Sequence, residues 1–142
     1  MGKFKQHPKG LTKVFVYGTL KPGEANYQVY CAGKVVSAKR AIALGQLFAL
    51  PLGYPAMTLG SSPVQGYLLS FADSEILRHL DWLEGYDSQR PAIDNEYNRQ
   101  EIETFGTDSA CLGLAWTYLM TLEQVHCFGG VLVPDGWWSV TL

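Results

Sequence analysis

The amino-acid sequence predicts a mixed α+β fold, and three stretches carry that expectation. Val14-Phe15-Val16-Tyr17 runs β-branched and aromatic residues together without a polar break, as a strand buried on both faces does. In Cys111 to Met120 the large residues Leu112, Leu114, Trp116, Tyr118 and Met120 fall at period two, which predicts a central strand. Between them, residues 74 to 84 place Ile76, Leu77, Leu80 and Leu83 on one stripe of a helical wheel, with Glu75, Arg78, His79 and Trp82 largely opposite. At 142 residues the chain has the size of one domain with a real core. The expected division is a flexible tail over 1–12 and a single domain over 13–142.

Composition removes several function classes. The net charge is −2, and no basic stripe offers itself to a phosphate backbone, so nucleic acid is not an expected partner. No run approaches the roughly 18 apolar residues of a membrane span, and Val14 to Val16 is too short for a secretory core, which makes a cytoplasmic location the expectation. The three cysteines, Cys31, Cys111 and Cys127, are odd in number and far apart, and read as reduced thiols. Zinc would ask for paired ligands, and the adjacent His126-Cys127 would point apart in an extended segment, so no metal is expected. His7, in the tail, and His79, on the polar side of the helix, read as solvated. The four Trp and eight Tyr exceed what a minimal core needs, which points to aromatic residues along a pocket or an interface.

Taken in order, the opening strand stops at Gly18, and Pro22-Gly23 punctuates the loop that follows. Glu24 to Ala32 predicts a short helix ending at Gly33. Residues 34 to 49 are rich in Val, Ile and Leu and predict one bent strand or two, with Gly45 as a candidate bulge. After the turn signals Pro51, Gly53 and Pro55, a short strand is expected at Ala56 to Leu59, a break over Gly60 to Pro63, and a half-buried strand over Val64 to Phe71. Asp73 is the expected cap and Gly85 the expected stop of the helix. A polar, Pro-containing loop over 85–97 has the character of a lid or specificity segment. Asn98 to Phe105 predicts a strand with Arg99, Glu101 and Glu103 on a solvated face, and 121–130 a helical turn and loop. Trp137 and Trp138, after a tight turn, either plug one end of the fold or edge a pocket.

Two places carry candidate chemistry. The loop from Gly18 to Gly23 leaves several backbone N–H groups without a ladder partner, and such a nest accepts a carboxylate or a developing oxyanion; a plain exit from the sheet is the other reading. It is not a Walker loop, since Gly23 is followed by Glu24 and Ala25. The second place is Glu84, which lies near Leu77 on the apolar stripe while Asp81 sits at its edge, closer to water. A carboxylate turned inward is paired, protonated or used, and burial raises its proton affinity toward neutrality. The alternative is that the last turn bends Glu84 out to solvent.

Val14 to Lys21 near the start, Leu80-Asp81-Trp82-Leu83-Glu84-Gly85 in the middle, Tyr97-Asn98-Arg99 soon after and Gly136-Trp137 at the end together resemble the γ-glutamylcyclotransferase-like family, including its AIG2-like and γ-glutamylamine cyclotransferase branches. The resemblance implies a small mixed β-barrel with flanking short helices. It also implies a small-molecule γ-glutamyl substrate, whose own α-amine attacks its γ-carbonyl to close 5-oxoproline and expel an amine or amino acid. On that resemblance Glu84 is the acid/base group. Gly18, Thr19 and Leu20, with Tyr17, hold the γ-glutamyl head, Tyr97 contacts the substrate, and neither metal nor organic cofactor is implied. The form Tyr17-Gly18-Thr19-Leu20-Lys21 is closer to the γ-glutamylamine branch than to the enzymes of glutamyl amino acids. The competing expectation is a non-catalytic protein that binds a small carboxylate on the same fold.

Overall fold

The structure, a computed structural model, describes residues 11–139; most of the tail expected over 1–12 lies outside them. Among the described residues six strands and two α-helices follow one another as β1 (Thr12–Val16), β2 (Val35–Ala49), β3 (Pro55–Phe71), α1 (Glu75–Leu83), β4 (Asn98–Phe105), β5 (Cys111–Leu119), α2 (Leu122–Cys127) and β6 (Val131–Leu132). The sheet runs β3-β1-β5-β4-β2-β6, and β2 also pairs with β3, so five strands close into a ring and β6 hangs from β2. The fold is mixed because β1 and β5 are parallel at Val14↔Trp116 while the remaining pairings are antiparallel. Closure removes the free edges that an open sheet would present.

The ring separates two cores by the period-two rule. Phe15 of β1 and Tyr17, just beyond its end, join Ala43, Met57, Leu68 and Leu119 in one cluster, which Trp138 completes. Val14 and Val16 face the other way and pack with Leu69, Phe71 and the stripe Ile76, Leu77 and Leu80 of α1. The unbroken apolar run in β1 thus has a cause: both of its faces are covered. Trp138 is buried in the first of these clusters and Trp137 half-buried beside Tyr67, and neither lines the cavity described below. Lys21, almost wholly buried, donates to the Trp138 carbonyl and lies 3.5 Å from the Trp137 ring centre, while burial brings its pKa down to about 8.

Four expectations change in detail. Thr12, expected in the tail, already pairs with Phe71 as the first residue of β1. The helix expected over 24–32 shrinks to a π-helical turn at Tyr27–Cys31. The strands expected at 56–59 and 64–71 are one strand: the register passes from Gly45↔Ser62 to Gln46↔Thr58, so the turn-like Gly60 stretch is a bulge opposite Gly45 rather than a break. Residues 64–71 are also more deeply covered than a half-buried strand, because Leu68 and Ser70 pack inward while Leu69 and Phe71 meet α1. Among the described residues no helix is long and apolar enough to cross a membrane.

The parallel contact between β1 and β5 has a single residue pair, yet it holds the ring together beneath the candidate site. Thr117, fully buried on β5, donates from Oγ1 to the Phe15 carbonyl at 2.9 Å and supplements that thin ladder. Thr117→Val keeps the shape and deletes the bond, so it is expected to lower unfolding free energy by about 1 kcal/mol. Urea denaturation measures this, and an unchanged midpoint would mean that packing alone fixes the junction.

Candidate active site

The loop after β1 folds into a tight turn because its carbonyls are taken up on one side. Gly18 accepts from the Lys21 amide at 3.0 Å, and the Thr19 carbonyl accepts from the amides of Asn26 and Tyr27 at 3.0 and 3.1 Å. Asn26 also donates from its side chain to Thr19 Oγ1 at 2.9 Å. Among the described residues nothing accepts from the amides of Gly18, Thr19 or Leu20. Gly18 and Leu20 are buried, so these donors call for water or a ligand. Pro55 presses against the turn: a methyl group on Gly18 would sit 2.7 Å from Pro55 Cγ.

Glu84 ends α1, its amide bonded to the Leu80 carbonyl at 2.9 Å. The N-cap position of α1 is Ser74, which makes no side-chain cap; the expected cap Asp73 lies one residue earlier and accepts from the Glu75 amide through Oδ1, and at the end Gly85 adopts φ +69°, which a residue with a side chain rarely does. The Glu84 side chain is half-buried on a cavity wall, so neither expectation for it holds in pure form; it is turned inward, with water reaching it from one side. Burial pushes its pKa up to about 8, and the negative charge of Glu96 adds to the rise.

One cavity of about 180 Å³ is lined by Tyr17, Gly18, Thr19, Leu20, Glu84 and Tyr97, the six residues singled out in the sequence. Tyr17 is buried with its hydroxyl on the Tyr118 carbonyl at 2.5 Å. Tyr97 gives its hydroxyl proton to the Pro55 carbonyl at 2.7 Å, which leaves a lone pair and the ring as its means of touching a ligand. Burial drives both phenols far above their ordinary range, so they stay neutral.

The family model described as gamma-glutamyl cyclotransferase, AIG2-like, matches residues 14–140. The chain belongs to that family. A gamma-L-glutamyl-butirosin B gamma-glutamyl cyclotransferase from Niallia circulans is 32% identical over 114 residues, covering 80% of this chain and 70% of the relative. The fold is similar to the crystal structure of an AIG2-like protein from Mus musculus, with a TM-score of 0.65, 19% identity and coverage of 92% of this chain and 89% of the other. It is also similar to YkqA from Bacillus subtilis, with a TM-score of 0.63 and 21% identity over 90% of this chain, which spans only 39% of that protein.

In this gamma-glutamyl cyclotransferase family member, sequence reasoning passed over several cavity residues: Asn26, Tyr54, Glu96 and Tyr118. Tyr54 sits in a Pro/Gly turn and Glu96 in a polar loop, where no periodicity marks a residue. The loop is instead organised by Asn95, which is buried and accepts from the Asp87 amide and Arg90 Nε while donating to Asn98 Oδ1 at 2.9 Å. That lock delivers Glu96 and Tyr97 to the cavity, with Glu96 Oε2 receiving the Tyr54 hydroxyl at 2.7 Å. Asp81 and Arg99 also depart from expectation. Both are half-buried: Asp81 accepts the Tyr118 hydroxyl at 2.7 Å, and Arg99 Nε lies 2.9 Å from the same oxygen, close enough to pair although its N–H is out of line for a hydrogen bond. The Arg99 guanidinium stacks 4.6 Å from the Trp116 ring centre, which accounts for its leaving the solvated face assigned to it.

Proposed function

We propose that this member of the gamma-glutamyl cyclotransferase family releases 5-oxoproline and a free amine from a γ-glutamylamine, with Glu84 as the acid/base group. The observation that carries the reading is the sharing of one cavity by a carboxyl group of raised proton affinity and a turn of unpaired amides. A protonated amine has no lone pair to attack with, so a base must take a proton from the α-ammonium first. The nitrogen then bonds to the γ-carbon, and negative charge collects on the carbonyl oxygen. Collapse reforms the carbonyl and breaks the bond to the departing nitrogen. The ammonium began with three protons and the lactam nitrogen keeps one. The other two end on the departing amine, relayed by Glu84, which finishes as it started.

The amides of Gly18, Thr19 and Leu20 are suited to the α-carboxylate of the head or to the oxyanion, since they need no reorganisation as charge develops. The snug cavity favours ring closure by holding amine and carbonyl face to face. The γ-glutamyl class is supported by the relative named for gamma-L-glutamyl-butirosin B. The amine leaving group is supported by the Thr19-Leu20-Lys21 form of the turn.

Incubation with γ-glutamyl-ε-lysine and with γ-glutamyl-alanine, followed by detection of 5-oxoproline, tests the assignment. Faster release from the lysine compound is expected, and binding of both without release would leave only a carboxylate-binding role. The pH dependence tests the base. Since Glu84 must be ionised to accept a proton, kcat/KM is expected to rise with pH and level off near the pKa of about 8, and a profile already flat from about pH 5 would contradict it.

A further inference from the structure

Glu96 has no step in the proton relay, yet it faces the same cavity as Glu84. Resting on the cyclotransferase reading, we propose that the Glu96 carboxylate selects the leaving group by charge, favouring γ-glutamyl compounds whose departing amine carries a further positive charge and disfavouring those whose departing group carries a carboxylate.

Depth within the cavity assigns the position. Tyr17, Gly18, Leu20 and Tyr97 are buried and form its floor, which carries the unpaired amides of Gly18 and Leu20. Tyr54 and Glu96 are half-exposed and come from two different loops, so together they form part of the rim. A γ-glutamyl head held by the floor directs whatever is attached to its γ-carbonyl toward that rim. The Glu96 side chain is also held in place. Tyr54 fixes Oε2, the Glu96 amide donates to the Gly85 carbonyl at 3.2 Å, and among the described residues Oε1 has no hydrogen-bond partner and is free to receive a cation. Charge balance sets the sign. The cavity lining contains two glutamates and, among the described residues, no Lys, Arg or His. A carboxylate on the leaving group would therefore meet negative charge with nothing to offset it, whereas an ammonium would be drawn to Oε1. In a partly wet rim one such interaction at several ångströms corresponds to about tenfold in rate.

The test uses three compounds that share the head and a three-carbon leaving group: γ-glutamyl-1,3-diaminopropane, γ-glutamyl-propylamine and γ-glutamyl-β-alanine. The expected order of kcat/KM for 5-oxoproline release by the native chain is cationic, then neutral, then anionic, with about tenfold between neighbours. In Glu96→Gln, which still can accept from Tyr54, the spread is expected to contract to about threefold. The ratio does not depend on how much of the variant is folded, so a merely structural role would not move it. A flat ranking in the native chain overturns the proposal without any variant, as does an unaltered ranking in Glu96→Gln. Absence of 5-oxoproline from all three compounds instead rejects the cyclotransferase reading, and this proposal with it.

Discussion

Glu84→Gln is expected to reduce 5-oxoproline release by about 10³-fold or more while making the folded protein more stable above about pH 5. The amide keeps the shape of the side chain and cannot take a proton from an ammonium, so the loss should fall on kcat with little change in KM. The gain in stability comes from the same burial that makes the residue useful. In the unfolded chain Glu84 ionises near 4.5, whereas in the folded chain it keeps its proton until about 8. Below the first value both states are protonated and the substitution is neutral in this respect. Between the two, only the unfolded state releases its proton as pH rises, which draws the equilibrium toward unfolding. Above the second value the penalty is complete. The variant's advantage should therefore grow from about pH 5 to pH 8 and then level off, at on the order of 1 to 3 kcal/mol, less than the whole shift would give because water reaches the half-buried carboxyl. Urea midpoints of both proteins at the two pH values measure it. A gap that does not widen would show that Glu84 is not desolvated, and retained turnover in the variant would remove it from the mechanism.

Gly18→Ala should be the next most damaging change. The added carbon would lie 2.7 and 2.9 Å from Cγ and Cδ of Pro55, and a proline ring has no rotamer by which to retreat. Either the amide turn or Pro55 must shift. Pro55 is not a passive neighbour, because its carbonyl holds the Tyr97 hydroxyl, so displacement at the turn passes to a second residue of the cavity lining. A shift approaching 1 Å in groups that position the reacting atoms corresponds to about 10²-fold in kcat/KM. The melting temperature should fall by a few degrees at most, since the strain can be relieved in a loop. Steady-state kinetics beside a thermal melt separates these effects. Full activity would mean that the turn is not part of the site, and an unfolded variant would call for Gly18→Ala combined with Pro55→Ala, which removes the Cγ and Cδ that the added carbon meets.

How far the sequence could be read follows from what each residue depends on. Helix α1 was legible because its stripe and its Gly85 stop are local, and so is the Asp73 side chain that bonds the Glu75 amide one residue before the cap position; the same wheel that predicted the helix turned Glu84 inward. Strands β4 and β5 were legible for the same reason, β4 to the residue. The two strands expected in 56–71 were misdivided because Gly60-Ser61-Ser62-Pro63 has the chemistry of a turn, and only pairing with β2 makes it a bulge within one strand. Arg99 was placed on a solvated face by its alternation with Glu101 and Glu103, but its surroundings are set by Trp116 on β5 and Asp81 on α1, which no window along the chain contains.

By itself the sequence determined the local devices of this protein: a buried first strand that ends at a glycine, an amphipathic helix with an acidic tip, and the motifs that mark the family. Those depend on periodicity, backbone freedom and caps, which act over a few residues. Only the tertiary structure decided that the ring closes through β2 and β3, that the acidic tip and the amide turn share one cavity, and that Glu96 joins them from a loop ordered by Asn95. Those are contacts between residues far apart in the chain, and the proton affinity of Glu84 is set by the space they enclose rather than by its neighbours in sequence.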